Sequence, residues 1–338
     1  MNTKLSVLTG AVAATLALGM ANPAAASVYG RSYLDIDSLE IHISDDGGIT
    51  PDTGGTVDNF NFALTNTVNL NGAAAISIGG CSGTPGAPGV TNNCSAVAPR
   101  ANAAVLNLGD AAATRAENTF DFKGPGLNEY ANSDSVIFAS QLTGDVGGSN
   151  TEQIAESELQ TGVSAGSSAE IISTTGFTFQ FTVDGANTLT IDFDAMLDIL
   201  ARIDDPTAAA ASAQSNVRVS FRLENDDTGD SVTWNPNGDT ATGCTVGGLL
   251  LSCLEVTDGF DLNSDAGTTT DGTSVGRSGS GSFSAVISGL FNGNWTLTLD
   301  GLTSTALSRT PAVPEPASLA LLGIGLAGLA GARRRRKA

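Results

Sequence analysis

The stretch FTFQFTVDGANTLTIDF, residues 177–193, decides the fold. Phe177, Phe179, Phe181 and Val183 alternate with Thr178, Gln180 and Thr182, and Leu189, Ile191 and Phe193 alternate with Thr190 and Asp192. Asp184-Gly185-Ala186-Asn187 between them is turn chemistry. A side-chain period of two sends the apolar set to one face, which predicts a hairpin buried on one side only.

The same alternation recurs outward from this point. It appears at Val217-Val219-Phe221-Leu223, Phe283-Ala285-Ile287, Trp295-Leu297-Leu299 and Phe60-Phe62-Leu64. Near the start, Leu34 and Ile36 are in one phase and Leu39, Ile41 and Ile43 in the other, which predicts a β-bulge at Asp37 and Ser38. Turns rich in Gly and Asp, such as Asp45 to Gly48, Thr53 to Gly55, Asn225 to Gly229 and Asp258-Gly259, punctuate the strands. There is no βαβ alternation and no fixed-period repeat. The fold class expected is therefore mainly β, an antiparallel β-sandwich or jelly-roll-like body, built as one large domain or two small ones. Helix signals are few. Ser149 to Glu152 has the form of a capping box opening a short helix through Gln160, and Pro206 to Gln214 is an Ala-rich helical turn or loop.

Charge narrows the partners. The 338 residues include 41 Gly, one His, and only 15% charged side chains. Between Ser27 and Val313 nine Lys and Arg stand against 34 Asp and Glu, a net charge of −25. Such a surface repels phosphate backbones, which argues against DNA and RNA as partners.

The other six of the fifteen basic residues lie at the two ends. Lys4, the apolar run Leu5 to Leu18 and Ala24-Ala25-Ala26 before Ser27 form the three regions of a secretory signal, with signal peptidase expected to cut between Ala26 and Ser27. At the other end Val313-Pro314-Glu315-Pro316 precedes an uncharged run from Ala317 to Ala332, then Arg333, Arg334, Arg335, Arg336 and Lys337. The 16-residue run would reach about 24 Å as a helix. Flanking arginines can snorkel, and they hold the tail on the cytoplasmic side. The expected organisation is a signal peptide at 1–26, a secreted β-rich body at 27–312 and a terminal segment at 313–338.

A Pro-Glu-Pro motif, one apolar helix and an Arg cluster in that order resembles the PEP-CTERM sorting signal of Gram-negative bacteria. The resemblance covers Val313 to Ala338. It implies recognition by an exosortase through Pro314, Glu315 and Pro316, with the apolar transmembrane helix and Arg333 to Arg336 as the membrane hold. It also implies transient anchoring in the inner membrane before release to the cell surface or extracellular matrix. The body, with its FTFQFTV and VRVSFRLENDDTG stretches, loosely resembles acidic exosortase-dependent surface proteins that have a β-sandwich body. That likeness implies a binding or scaffolding role in the matrix or biofilm and supplies no catalytic residue.

Four cysteines fall into two local pairs, Cys81 with Cys94 and Cys244 with Cys253. In an oxidising compartment these are expected to be two loop-closing disulfides, although three connectivities are open to four cysteines. Zinc is disfavoured because neither pair has Cys-x-x-Cys spacing and His42 is remote. His42, between Ile41 and Ile43, is expected on a solvent face. No cofactor is required by any motif, and calcium is the one candidate ion. Asp261, Asn263 and Asp265 alternate like the opening of a calcium loop, with Asp258 and Asp271 nearby, but the glycine comes late at Gly267 and no closing Glu follows. A solvated Asp-rich turn accounts for the same pattern.

Three functions remain. The first is a non-enzymatic surface or matrix protein. The second is a lectin-like module for extracellular polysaccharide, with Trp234 at a loop before Asn235-Pro236-Asn237-Gly238 as the sugar-stacking residue and Trp295 in the core. The third and weakest is a glycoside hydrolase, for which Asp192, Asp194 and Asp198 crowd one segment.

Overall fold

The computed structural model describes residues 27–44, 55–83, 100–108, 111–138, 149–160, 165–184, 187–206 and 208–311. The expected signal segment, the Pro-Glu-Pro motif, the membrane helix, the arginine tail and Cys94 lie outside these residues, as do the turns expected at 45–48 and 53–55 (apart from Gly55). Among the described residues no helix is long and apolar enough to cross a membrane.

Fifteen strands are described: β1 (Ser27–Ser44), β2 (Gly55–Leu70), β3 (Ala73–Gly83), β4 (Arg100–Leu108), β5 (Glu129–Phe138), β6 (Ser149–Gln160), β7 (Ala165–Val183), β8 (Asn187–Asp204), β9 (Ala208–Asn225), β10 (Ser231–Trp234), β11 (Cys244–Gly247), β12 (Ser252–Asp258), β13 (Asp265–Thr268), β14 (Thr273–Leu290) and β15 (Gly293–Pro311). They form two antiparallel sheets. The first has the order β12-β14-β8-β1-β6-β5-β4, the second β11-β10-β9-β15-β7-β2-β3, with β13 added to β9. The body is a β-sandwich.

Its core follows from the alternation. Phe179, Phe181 and Val183 of β7, Val217, Val219, Phe221 and Leu223 of β9, and Trp295, Leu297 and Leu299 of β15 face Leu189, Ile191, Phe193, Leu197 and Ile199 of β8 and Phe283, Ala285 and Ile287 of β14 in one apolar cluster. The β7 and β8 strands flank the predicted turn but enter different sheets, so the expected hairpin is instead a crossing between layers. Period two told which side chains are buried and could not tell which strand lies alongside. The bulge is present: the β1 register shifts between Ile36 and Leu39, and Ser38 takes a positive φ of 55°.

The segment expected as a short helix is a strand, and the stretch expected as a helical turn or a loop is strand from Ala208 onward. Ser149 to Gln160 is β6, an inner strand between β1 and β5. A capping box satisfies orphan amides at a helix end, whereas here cross-strand ladders on both sides supply the partners, and tertiary pairing overrides local preference. The alanines of Ala208 to Ala213 are likewise in β9, paired with β15 from Leu307 to Pro311.

Trp234 is a further correction. It ends β10 with no exposed surface, stacks on Phe221 at 5.1 Å, and lies 5.7 Å from Phe193. Its indole N–H donates to the buried Glu255 carboxylate. The ring is core, since pairing with β9 places it opposite Phe221, so it cannot be a sugar platform. Trp295 is in the core as expected.

Cys244 and Cys253 form a disulfide with a Cα separation of 6.0 Å. It joins β11, the edge of the second sheet, to β12, the edge of the first. Closing so short a loop contributes on the order of 2 to 3 kcal/mol through the unfolded state. Ser27 pairs with Asp204 and Pro311 with Ala208, so the segments flanking the body join it at one end of the sandwich.

Candidate functional site on the outer face of the first sheet

Strands β5, β6, β1, β8 and β14 lie side by side, and their register aligns outward side chains in rows. One row is Asp134, Ile154, Tyr33, Asp198 and Ser278. The next is Val136, Glu152, Asp35, Met196 and Ser280. On the other side are Asn132, Glu156, Arg31, Leu200 and Gly276, then Tyr130, Glu158, Tyr29, Arg202 and Ser274. Segment 111–128 lies over the β5 and β6 half of these rows and buries it.

Buried charge holds that segment. The Arg115 guanidinium, on a fully buried side chain, donates to Glu156 Oε2 at 2.7 Å, Asn132 Oδ1 at 2.8 Å, and the carbonyls of Thr119 and Asp121 at 2.5 and 3.0 Å. Glu156 also accepts from Tyr29 Oη at 2.6 Å and from the amides of Lys123 and Gly124. Glu158 accepts from the amides of Gly126 and Leu127 at 2.7 and 3.1 Å. Gly124 and Gly126 have φ of +78° and +102°, a left-handed backbone that turns successive N–H groups toward one carboxylate. Asp134 accepts from the Thr119 amide. Satisfaction of nearly every donor is what makes so much buried charge tolerable.

At the margin of this lid the rows open into a cleft of about 720 Å³, lined by Tyr33, Asn118 to Phe122, Glu152, Met196 to Asp198 and Ser278 to Ser280. Arg31 grips Asp198 with three contacts of 2.9 to 3.2 Å and places its guanidinium 4.2 Å from the centre of the Phe122 ring. Tyr33 packs edge-on against Phe122 and donates to Glu152 Oε1 at 2.7 Å. Burial pushes Glu152 above the usual carboxylate range, and Asp121 adds to the shift while the Tyr33 hydrogen bond opposes it. Burial, then Glu152 and Asp37, push Asp35 up to about 6. Asp134 also reaches about 6 through burial, against backbone hydrogen bonds that lower it.

The residues singled out in the sequence are dispersed. Of Asp192, Asp194 and Asp198, all on the outer face of β8, only Asp198 lines the cleft, and Asp194 accepts from Ser282 Oγ at 2.6 Å. His42 sits beside Glu40 at 3.2 Å, with its side chain mostly covered. In the proposed calcium segment, Asp261 accepts from the Asn263 amide and pairs with Arg277 at 3.0 Å. Asn263 Oδ1 accepts from the Val219 amide, and Asp265 opens β13. Asp258 accepts from the amides of Asn237, Gly238 and Asp239. Asp258, Asp261 and Asn263 are thus engaged by backbone amides and, at Asp261, by Arg277. Among the described residues no group of three or more His, Cys, Asp or Glu is placed to hold a metal ion. Of the expected Cys81–Cys94 bridge, Cys94 lies outside the described residues.

Sequence reasoning missed Arg115, Glu152, Glu156 and Glu158. The readable signal was Glu152-x-Ile154-x-Glu156-x-Glu158, a period of two facing Tyr29-x-Arg31-x-Tyr33-x-Asp35 on β1.

The location of the protein is decided elsewhere in the chain. Residues 312–336 match the PEP-CTERM protein-sorting motif. The motif implies an exported protein of a Gram-negative cell that is recognised and processed by an exosortase. Pro314, Glu315 and Pro316 fall within the matched segment, as do Arg333 to Arg336. No curated protein and no solved structure matches the chain. The sorting motif starts just after Pro311, where β15 leaves the sandwich.

The perturbed carboxylates give a pH prediction. A carboxyl with a raised folded-state pKa binds protons more readily in the folded than in the unfolded chain. Stability therefore rises as pH falls through about 6, and the gain is complete below the unfolded value near 4. Asp35 and Asp134, both about 6, set this window, and Glu152 and Glu158, also raised by burial, add to it. The melting temperature is expected to be on the order of 5 °C higher at pH 5 than at pH 7.5. Calorimetry showing the reverse order would remove this account of the lid.

Proposed function

We propose that the protein is an exosortase-sorted surface or matrix component that binds extracellular polysaccharide in the cleft between segment 118–122 and strands β1, β8 and β14. The observation that carries this reading is the mixed lining. Asp198, held by Arg31 beside the cleft, Glu152, Tyr33 and the serines Ser278 and Ser280 present donors and acceptors, while Phe120, Phe122 and exposed Met196 present apolar surface. Sugar rings carry the complementary pattern of hydroxyl edges and apolar faces. Asp121, Glu152, Asp198 and the nearby Asp35 disfavour anionic chains, so the ligand class is a neutral or amino-substituted glycan. Calcium enters as a counter-ion to the acidic surface, and binding is not expected to require it.

The test is a glycan array followed by titration calorimetry of the exported protein, with hydrolysis products monitored and EDTA and millimolar calcium compared. Asp198→Ala, which releases Arg31, and Glu152→Gln are each expected to weaken binding at least tenfold with little change in melting temperature. Equal affinity in both variants would eliminate the cleft. Steady release of shortened glycan lost in Glu152→Gln would convert the reading to a glycoside hydrolase, and loss of binding in EDTA would restore a calcium site.

A further inference from the structure

We propose that the ligand of the cleft is a cationic amino-sugar polymer, a hexosamine glycan with free, protonated amino groups, and that Asp121, Glu152 and Asn118 select it. The inference rests on the reading of the cleft as a glycan site and goes beyond it by naming the charge of the sugar.

The polar lining is unbalanced. Asp121, Glu152 and Asp198 line the cleft, and no Lys or Arg does. Arg31 stands beside it, committed to both oxygens of Asp198. Tyr33 Oη, a donor among the lining residues, is taken by Glu152 Oε1 at 2.7 Å. Acceptors are therefore in excess. Glu152 Oε2 and the Asp121 carboxylate have no hydrogen-bond partner among the described residues. Asn118 Oδ1, also of the lining, is buried and unpartnered. Polar atoms out of water are costly to leave unpaired, so a ligand rich in donors is favoured.

Charge points the same way. Burial raises Glu152 and Asp121 adds to the shift, while burial, then Glu152 and Asp37, raise Asp35, which pairs with Glu152 between β1 and β6. Carboxylates that raise one another are close and lack a cation between them. A protonated amine brings three donors, no acceptor and a positive charge. Neutral hydroxyls bring donors without charge, and carboxylated or sulfated chains bring the wrong sign. A single metal ion fits less well, because among the described residues no three His, Cys, Asp or Glu side chains are placed to hold one. The acceptors instead lie on two elements, segment 118–121 and β6, which suits an extended chain. Phe120 and Met196 add apolar surface for the ring faces.

Titration calorimetry of the exported protein near neutral pH tests this with a glucosamine tetramer and its fully N-acetylated form, in about 50 mM and about 500 mM NaCl. Acetylation removes the charge and keeps the sugar backbone. The free-amine tetramer is expected to bind roughly tenfold more tightly at low salt, with the advantage shrinking at high salt. Asp121→Asn, at an exposed position, should cut that ratio about threefold with the melting temperature unchanged. Asp265→Asn, which removes the same charge from β13 outside the cleft, should leave the ratio as in the wild type. An N-acetylated tetramer bound as tightly as the free amine would overturn the inference and leave the cleft reading standing. A ratio that falls equally in Asp265→Asn would reduce the preference to net charge, and tetralysine bound as tightly as the sugar would show recognition of the amine without it. Either result overturns the inference. Failure of both tetramers to bind overturns it as well, and the glycan array then decides the cleft reading separately.

Discussion

Arg115→Ala is expected to cost about 3 to 5 kcal/mol, because it leaves Glu156 charged and uncompensated in a site with no solvent exposure. The same change strands the carbonyls of Thr119 and Asp121 and the Asn132 side chain, all of which accept from the guanidinium. For a domain of this size the melting temperature should fall by roughly 10 °C. Exchange protection should be lost first at the amides of Thr119, Lys123 and Gly124, which bond to Asp134 and Glu156. Adding Glu156→Gln should recover part of the loss, since the remaining partner is then neutral. A single variant melting within about 2 °C of wild type would show that the lid is held mainly by Glu158 and packing.

The second large effect concerns sorting. Alanine at Pro314, Glu315 and Pro316 together is expected to leave export intact and to abolish processing, so that an unprocessed, membrane-held form replaces the mature protein. The motivation is the match of residues 312–336 to the sorting motif. Intact mass of fractionated cells with and without an exosortase reads the outcome. A surface species of wild-type mass from the triple variant would remove the three residues from recognition, and a wild-type surface species still carrying Arg333 to Lys337 would remove processing itself.

The two predictions draw on different kinds of legibility. Sorting is read from contiguous residues, because a Pro-Glu-Pro motif, an apolar run and a cationic tail are defined by their order along the chain. The β class was legible for a similar reason. Alternation in Phe179-x-Phe181-x-Val183 or Val217-x-Val219-x-Phe221 reports burial on one face of a strand whatever lies opposite. Even the bulge at Ser38 was visible as a change of phase.

The lid and cleft were not legible in that way. Glu152, Glu156 and Glu158 satisfy a helix pattern as well as a strand pattern, and what chose between them was pairing with β1 and β5 on both sides. Arg115 sits 41 residues before Glu156 in the chain, and Arg31 sits 167 residues before Asp198. Trp234 lay beside turn residues and was expected at a loop, yet it is core because β10 pairs with β9.

The sequence by itself determined the compartment signals, the strand periodicity and the acidic character, since each depends on residue identity and spacing along one chain. Tertiary structure alone decided the partners. Only register across five strands brings Tyr33, Asp198 and Ser278 into one row, and only the folded chain sets Glu156 of β6 under Arg115 of the lid. Burial and long-range pairing are properties of position in space, which local pattern does not encode.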